Sequence, residues 1–331
     1  MRVHSSAPTR LDLAGGTLDI WPLYLFHHGA QTLNAAISLR AECWITPSID
    51  GAWHIASEDT GAVLRLDDLD EPTAPSQHRL LLRLLHFFRP DPIRIVTRSQ
   101  SPLGAGLAGS SALSIALCSA LARVNGDEYS PESLMNLAMN LESQVIGVPT
   151  GAQDYRPAMY GGIAALELGP SGVTRCELPV DPGDLASRVV LAYTGQSRDS
   201  GVNNWEITKR HIDGDTEIIA LFDSIADVAT SMRHALEAGD WLEVGRQMTR
   251  EWELRKRLAP GVTTSVIDEL VECGIQAGAR AAKVCGAGGG GCLLFLADPG
   301  DASSVGRALD KAGARVLDAQ IDVRGLHLET D

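Results

Sequence analysis

Two glycine-rich segments carry the residue spacing that most directly suggests chemistry. The pattern Gly-x-Gly-x-x-Gly occurs at residues 104–109, between a strand-like segment and a long apolar helical one, and again at 286–291. Glycine lets the backbone take positive φ and approach a ligand closely. The first turn of a helix adds unpaired N–H groups and the positive end of the helix dipole. The first segment therefore predicts a backbone cradle for phosphate at the start of a helix.

The residues around these loops argue against two common phosphate-binding patterns. A dinucleotide-binding fold requires a second strand within about 30 residues, but residues 130–147 have helical periodicity instead. A Walker A loop ends in Gly-Lys-Ser/Thr, which neither segment contains. Ser110 and Ser111 stand at the predicted helix start, so one can cap the helix while the other meets a metal or a phosphate. The simpler alternative is that Ser110 is only a helix cap.

The elements that would position these loops follow from periodicity and from turn residues. Most of the first hundred residues have strand-like patterns, with a helix at 77–88 and a further strand at 93–99. The helix after the first glycine segment should end at Gly126, and Ser130 should cap the next one. Residues 202–276 form mostly amphipathic helices, and the chain then returns to alternating strands and helices. We expect an α+β protein with a β-rich N-terminal half and a helix-rich C-terminal half.

Charge and composition restrict the partners of this chain. Its 331 residues carry a formal net charge of −14 and form no basic block, so nucleic acid and anionic membranes are unsuited partners. An anionic ligand would have to be bound locally, by backbone N–H groups, a metal or single arginines. The six cysteines form no Cys-x-x-Cys pair and are typical of reduced core residues. The lack of an apolar signal segment and of an 18-residue apolar run predicts a cytoplasmic protein with no membrane span.

Three segments together resemble the family of galactokinase, homoserine kinase, mevalonate kinase and phosphomevalonate kinase, the GHMP kinases. They are APTRLDLAGGTLDI at 7–20, SPLGAGLAGSSALS at 101–114 and KVCGAGGGGCLLFL at 283–296, and they stand in the family's order. The resemblance implies an N-terminal lobe similar to ribosomal protein S5 domain 2, expected over 1–180, and a ferredoxin-like lobe over 181–331. It also implies phosphoryl transfer with ATP and Mg²⁺ as cofactors.

The resemblance further implies roles for single residues. Asp154 would be the catalytic aspartate, and Arg10 would lie near the reacting hydroxyl and the γ-phosphate. Glu142 and Ser111 would approach Mg²⁺, and Ser110 is the less favoured alternative to Ser111. The ATP phosphates would lie against Pro102, Leu103, Gly104, Ala105, Gly106, Leu107, Ala108, Gly109, Ser110 and Ser111. The substrate would contact Gly16, Thr17, Asp19, Gly151, Arg198, Gly288 and Gly289.

This sequence departs from the family pattern at two places. GLAGSSA at 106–112 is one residue longer than the GLGSSA of many relatives, which leaves open which serine faces the metal. GGTLD at 15–19 replaces the Glu-His-Thr-Asp of galactokinases and resembles the branch that phosphorylates heptose 7-phosphate, fucose or uronic acids at the anomeric oxygen. Residues 191–200, LAYTGQSRDS, are also similar to that branch. We therefore expect a small sugar-like substrate, and a monomer or a homodimer.

Each of these residues also has a plainer structural interpretation. Asp154 could cap a short helix, and Glu142 could be an exposed surface charge. Arg10 could form an ordinary surface ion pair with Asp12 or Asp19. The remaining residues could be turn or surface residues only: Thr17, Asp19 and Arg198.

The expected activity has two alternatives. The first is a kinase of the same family that acts on a non-sugar alcohol such as mevalonate or homoserine. The second is a catalytically silent protein that senses a ligand or binds another protein. The second is disfavoured because Asp154, Ser111, Glu142 and both glycine loops are all present.

Overall fold

Two β-sheets with helices packed on them make up the part of the chain that this computed structural model describes, residues 1–70, 78–197 and 201–331. Of residues 201–203 only the backbone is described. None of the described helices is long and apolar enough to cross a membrane. The strands are β1 Val3–Ala14, β2 Gln31–Pro47, β3 Trp53–Ser57, β4 Val63–Leu66, β5 Ile93–Ser99, β6 Ile163–Gly169, β7 Gly172–Glu177, β8 Val189–Tyr193, β9 Ala279–Val284, β10 Cys292–Ala297, β11 Arg315–Leu317 and β12 His327–Thr330. The helices are α1 Arg79–Phe88, α2 Gly109–Asn125, α3 Pro131–Ile146, α4 Arg156–Tyr160, α5 Pro182–Arg188, α6 Gly201–Ile212, α7 Thr216–Ala238, α8 Trp241–Leu258, α9 Ser265–Gln276 and α10 Ala302–Lys311.

The first sheet is built around β2. Its strand order is β12-β1-β2-β5-β3-β4, and β6 and β7 continue from β2 on a branch. β2 pairs antiparallel with β1 along most of its length, with β6 through its first half and with β5 through its second. The first half of β2 is buried at every position, because it lies between neighbouring strands and packs against α7. The sheet therefore carries the C-terminal half of β1 into the centre of the molecule.

Helix α2 is the buried helix of this lobe. Alanine, serine and leucine dominate its sequence, and the small side chains let it lie on β1 and β2 between α1 and α3. Gly126 ends the helix in the left-handed conformation, as the sequence predicts. The Ser130 hydroxyl accepts a hydrogen bond from the Ser133 N–H and caps α3. Both predicted boundaries are confirmed.

The second sheet has the order β11-β8-β10-β9, and all of its strands are antiparallel. Every residue of β10 is buried, because side chains from opposite faces of the strand enter two different cores. Leu294 packs in the core that contains Met232 of α7, and Phe295 packs in the core that contains Ile267 of α9. A strand covered on both faces is expected to have a continuous apolar sequence, here CLLFLA.

The two sheets meet through a shared core. Leu33 of β2 and Ile163 of β6 belong to the same buried cluster as Leu294 of β10. The chain also returns at its end, because β12 pairs antiparallel with β1, with Thr330 opposite Val3. The last strand therefore belongs to the first sheet, although it follows the second sheet in sequence. Loops from both halves of the chain come together at this junction.

Candidate active site

The start of α2 opens into a cavity of about 500 Å³. The helix begins at Gly109 after Ala108, which has a positive φ of 60°, and no described side chain caps its first turn. The first backbone hydrogen bond of the helix runs from the Ala112 N–H to the Ala108 carbonyl at 2.9 Å. The N–H groups of Gly109, Ser110 and Ser111 thus precede the first helical bond and are available to a ligand. The alternative that Ser110 is only a helix cap is wrong.

The two glycine loops pack against each other backbone to backbone. A Cβ atom on Gly106, which has a φ of +74°, would lie 2.2 Å from the Cys285 carbonyl oxygen. A Cβ atom on Gly291 would lie 2.7 Å from the Ala105 carbonyl oxygen, which accepts a hydrogen bond from the Cys292 N–H at 2.8 Å. Only glycine permits this approach, so the loops of the two lobes form one continuous wall of the cavity.

Arg10 and Asp154 form an ion pair inside the same cavity. The Arg10 Nε and Nη2 atoms donate to Asp154 Oδ1 at 3.0 and 2.6 Å, and Nη1 donates to the Gly106 carbonyl at 2.8 Å. Burial lowers the pKa of Arg10, but the carboxylates of Asp154 and Asp12 raise it by more, so the guanidinium stays charged. Arg10 is 4% exposed, and Asp154 caps no helix. The structure therefore contradicts the surface-pair and helix-cap alternatives.

Asp19 and Thr17 lie in a tight turn after β1 and line the cavity beside Asp154. Asp19 Oδ2 accepts a hydrogen bond from the Gln153 N–H at 2.8 Å, and a Cβ atom on Gly151 would lie 2.1 Å from this oxygen. Burial, with the charge of Asp154, raises the pKa of Asp19 to about 7. Thr17 takes a φ of 76°, an unusual conformation for a β-branched residue. These two buried residues face the cavity and are more than a surface turn.

Glu142 of α3 is buried against the start of α2. Its Oε1 accepts a hydrogen bond from the Ser110 hydroxyl at 2.5 Å, and its Oε2 accepts one from the Tyr155 hydroxyl at 2.7 Å. Burial raises the pKa of Glu142, and the hydrogen bonds from Ser110, Tyr155 and Ser111 oppose that rise. Ser110 is exposed at the cavity while Ser111 is buried. Glu142 is thus no surface charge, and the contacts favour Ser110 over Ser111 as its solvent-facing partner.

A buried ion cluster of Asp12, Glu251, Arg255 and Lys283 lies next to the cavity, and sequence reasoning missed it. Arg255 Nε donates to Glu251 Oε1 at 2.8 Å, and its Nη2 donates to Asp12 Oδ2 at 3.0 Å. Lys283 Nζ lies 2.7 Å from Glu251 Oε2 and 3.5 Å from Asp12 Oδ1. The available signal was a charged residue within each of two otherwise apolar strand segments, LDLA and AAKV. The cluster joins β1 of the first sheet to α8 and β9.

Three predicted substrate contacts have a different role in the structure. Gly288 and Gly289 pack on Val262. A Cβ atom on Gly288 would lie 2.4 Å from the Val262 carbonyl oxygen, and the same oxygen accepts a hydrogen bond from the Gly289 N–H at 2.7 Å. Gly286 and Ala287 line the cavity in their place. Gly16 leaves room for neighbouring side chains, because its Cβ atom would lie 2.2 Å from Arg255 Nη2. Arg198 lies outside the described residues.

Comparison with known proteins agrees with this arrangement. The family model described as GHMP kinases N terminal domain matches residues 78–162, and the one described as GHMP kinases C terminal matches 232–315. A mevalonate kinase of Aeropyrum pernix is 31% identical over 243 residues, which cover 72% of this chain and 71% of that protein. The chain belongs to the GHMP kinase family. The predicted two-lobed fold with mixed α and β structure and the predicted kinase class are thereby confirmed.

Two further GHMP kinase relatives span nearly the whole chain. The D-glycero-alpha-D-manno-heptose 7-phosphate kinase of Campylobacter jejuni is 26% identical over 338 residues, covering 98% of each chain. The crystal structure of a D-glycero-D-manno-heptose 1-phosphate kinase from Bacteriodes thetaiotaomicron matches with a TM-score of 0.79 and 25% identity, covering 99% of each chain. The similarity to these sugar kinases therefore extends over both lobes.

Proposed function

We propose that this GHMP kinase transfers the γ-phosphoryl group of Mg·ATP to a sugar hydroxyl, at the anomeric oxygen. The observation that carries the proposal is that the uncapped start of α2 and the Asp154 carboxylate line one cavity of about 500 Å³. A site of this size suits a small ligand and its cofactor. Phosphoryl transfer requires positioning and charge neutralisation above all, and both are available here.

Backbone N–H groups would bind the ATP phosphates. The groups at Gly109, Ser110 and Ser111 stand at the positive end of a 17-residue helix, and the whole loop from Pro102 lines the cavity. Apolar side chains of Leu81 and Leu113 line the same cavity and suit a nucleobase. This mode of binding needs no basic patch, which accords with a chain of net charge −14.

Glu142 and Ser110 fit the demands of a magnesium ion. Mg²⁺ takes one or two protein oxygens and completes its shell with phosphate oxygens and water. The Glu142 carboxylate and the Ser110 hydroxyl are 2.5 Å apart at the cavity, so both can face one ion. When bound, the ion neutralises charge on the phosphates. Among the described residues no cluster of three or more His, Cys, Asp or Glu side chains offers an alternative metal site.

Asp154 would orient the acceptor hydroxyl and accept its proton as the new P–O bond forms. Arg10 holds the Asp154 carboxylate in place with two hydrogen bonds and lends positive charge beside the reacting groups. Asp19 and Thr17, next to Asp154 in the same cavity, would bind further hydroxyls of the acceptor. Carboxylates that accept hydrogen bonds from adjacent hydroxyls are well suited to a sugar.

The choice of a sugar acceptor is supported by the two heptose-phosphate kinases that match over both lobes. Both relatives are named for heptose phosphates, and from them we extend only the sugar class to this chain; the anomeric position follows from the resemblance of residues 15–19 and 191–200. Mevalonate kinases also match, among them two at 28% and 31% identity. A non-sugar alcohol is therefore the second candidate acceptor.

An ADP-release assay over a panel of acceptors tests the proposal. The panel contains free sugars, sugar phosphates, uronic acids, mevalonate and homoserine, with Mg·ATP in every reaction. We expect ADP release that depends on one class of sugar and product phosphate at the anomeric carbon. Turnover of mevalonate or homoserine alone would overturn the sugar assignment and retain the kinase, while no turnover of any acceptor would favour the ligand-sensing alternative.

Three coarser features of the protein complete the proposal. A division into lobes at residues 180 and 181 accords with the two sheets, provided that β12 is counted with the first lobe. A cytoplasmic location is supported by six free cysteines. A chain that binds no nucleic acid or membrane accords with the acidic charge, and a monomer or a homodimer remains part of the proposal.

A further inference from the structure

Arg255 reaches the catalytic cavity from α8 and joins three segments of the chain. Its Nε donates to Glu251 of the same helix, and its Nη2 donates to Asp12 of β1. Its Nη1 donates to the carbonyl of Gly286, in the second glycine loop, at 3.0 Å. The guanidinium lines the cavity and is 4% exposed as a side chain. One buried side chain therefore connects the C-terminal half of β1 with the second glycine loop, which lines the cavity.

The bond to Gly286 fixes the orientation of the Gly286–Ala287 peptide. This peptide is trans, so its N–H points opposite to its C=O. Because the carbonyl faces Arg255, the Ala287 N–H points away from Arg255 within the same peptide plane. It has no hydrogen-bond partner among the described residues. Ala287 itself lines the catalytic cavity, so this free donor lies next to the site.

Arg10 holds the first glycine loop in the same way. Its Nη1 donates to the Gly106 carbonyl at 2.8 Å, and the following Leu107 N–H is likewise without a partner in the described part of the chain. Leu107 also lines the cavity. The two loops are stacked, with the Gly106 Cα 3.1 Å from the Cβ position of Gly286. Two arginines thus each hold one glycine carbonyl and leave one cavity-lining N–H free.

We propose that Arg255 is a positioning residue that keeps the Ala287 N–H directed at the phosphoryl group during transfer. The inference rests on the proposed function and assigns this peptide a donor role within that site. A backbone donor held in advance stabilises the charge of a transferring group because it need not reorganise during the reaction. Arg255 acts through the peptide and not through its own charge, since Asp12 and Glu251 balance Arg255 and Lys283 in the buried ion cluster.

Holding the Gly286 carbonyl together with Glu251 and Asp12 requires an arginine. A guanidinium offers donors in a rigid plane, and three of them reach three different acceptors here. A lysine keeps the charge but cannot hold all three directions at once. Gly16 makes room for the group, because any Cβ atom there would lie 2.2 Å from Nη2. Gly16 and Arg255 therefore act as a pair.

The test compares Arg255→Lys with Arg250→Lys, the same change at an exposed arginine of the same helix. We measure kcat, the affinity for Mg·ADP, and the affinity for Mg·ADP with aluminium fluoride, a mimic of the transferring phosphoryl group. For Arg255→Lys we expect a fall in kcat of about 10²-fold and a comparable loss for the mimic, with ADP affinity within about twofold of the parent. Arg250→Lys should match the parent throughout.

Two results would overturn the proposal. One is an unchanged kcat and mimic affinity in a folded Arg255→Lys protein. The other is an equal loss of ADP and mimic affinity together with a lower melting temperature, which indicates a structural role only. If Arg255→Lys does not fold, Gly16→Ala provides the second variant. Its methyl group would lie 2.2 Å from Arg255 Nη2 and 2.3 Å from Asp12 Oδ2, so the ion pair that holds the guanidinium must shift, and the same selective loss is expected. The comparison of ADP with the mimic needs no acceptor, so it decides the question even if no sugar is turned over.

Discussion

Asp154 receives two hydrogen bonds from a single buried arginine, Arg10, and this pair is the chemical centre of the proposed active site. Arg10 was predicted because it stands in the first segment that resembles the family, and Asp154 because it falls where family members keep a catalytic aspartate. The surface ion pair considered for Arg10 and the helix cap considered for Asp154 were wrong, because a short motif does not reveal which distant residues contact it in the fold. Arg10 and Asp154 are 144 positions apart, and Arg255 and Asp12 are 243 apart. The sequence shows a charged residue within an apolar segment but gives no signal for the distant residue that pairs with it.

Tyr155 supports the proposed magnesium ligand. Its hydroxyl donates to Glu142 Oε2 at 2.7 Å, which orients a buried carboxylate whose pKa is already raised by burial. Tyr155→Phe should raise the Mg²⁺ concentration for half-maximal activity about tenfold, because partners of metal ligands commonly affect affinity on that scale.

The matched control is Tyr160→Phe, whose hydroxyl contacts Glu132 at 3.2 Å, away from the cavity. A Mg²⁺ titration of ADP release compares the two variants with the parent. An unchanged Mg²⁺ requirement in Tyr155→Phe would contradict the assignment of Glu142.

Asp19 should impose a pH dependence on acceptor binding. Burial and the nearby Asp154 raise the pKa of Asp19 to about 7. The carboxylate is the better acceptor for sugar hydroxyls, and it forms as pH rises through that value. The kcat/KM for the acceptor should therefore increase between about pH 6 and 8.

Asp19→Asn should remove this step in the pH profile, because the amide does not titrate. The exposed Asp213→Asn serves as a control. A pH profile that keeps the same midpoint in Asp19→Asn would assign the titration to another group.

At the scale of elements, local sequence signals were sufficient to predict a helix boundary where a capping residue is present in the sequence. As predicted, α2 ends at Gly126 and α3 begins after its cap at Ser130. β12 was not predicted, because it is four exposed residues that become a strand only by pairing with β1. The start of α2 was predicted as a phosphate cradle. That Ala108 would precede the helix with a positive φ and no side-chain cap was not predicted.

The contact between the two glycine loops can be tested by adding one methyl group. Gly106→Ala places a Cβ atom 2.2 Å from the Cys285 carbonyl oxygen, so the loops must separate. We expect the affinity for a nonhydrolysable ATP analogue, measured by calorimetry, to fall at least about tenfold.

Gly126→Ala is the matched control. Gly126 also has a positive φ, +76°, but its Cβ position meets no atom within 4 Å. This variant should cost only about 1 kcal/mol of stability and should leave nucleotide affinity unchanged. Equal nucleotide affinity in the two variants would show that loop contact is unimportant for binding.

At the scale of the whole molecule, the order of the three motifs predicted the family and its two-lobed fold. It did not predict how the lobes are held together, because that depends on residues far apart in sequence. The buried ion cluster and the core shared by Leu33 and Leu294 are such contacts. A third contact joins the segment after β1 to α6 and α7, where His27 bonds Asp223 at 2.7 Å and His211 at 2.8 Å.

This histidine contact predicts a loss of stability in mild acid. Burial and the neighbouring His27 lower the pKa of His211. The unfolded chain therefore binds a proton more readily than the folded one. Stability is full above the unfolded pKa of about 6.5 and is lost as pH falls toward the lower folded pKa.

His211→Gln should flatten the melting temperature between about pH 6.5 and 5, relative to the parent. His234→Gln, at an exposed histidine, should keep the parent's slope. A slope that is the same in all three proteins would show that another group controls acid stability.

The most direct test of the central claim is a single-turnover measurement with the preferred acceptor, comparing the parent with Asp154→Asn. Asparagine keeps the shape of the side chain but cannot accept the hydroxyl proton. We expect a phosphoryl-transfer rate at least about 10²-fold lower at an unchanged affinity for the ATP analogue. A variant that transfers phosphate at the parent's rate, or one that loses nucleotide binding together with transfer, would contradict the placement of Asp154 opposite the phosphates bound at the start of α2.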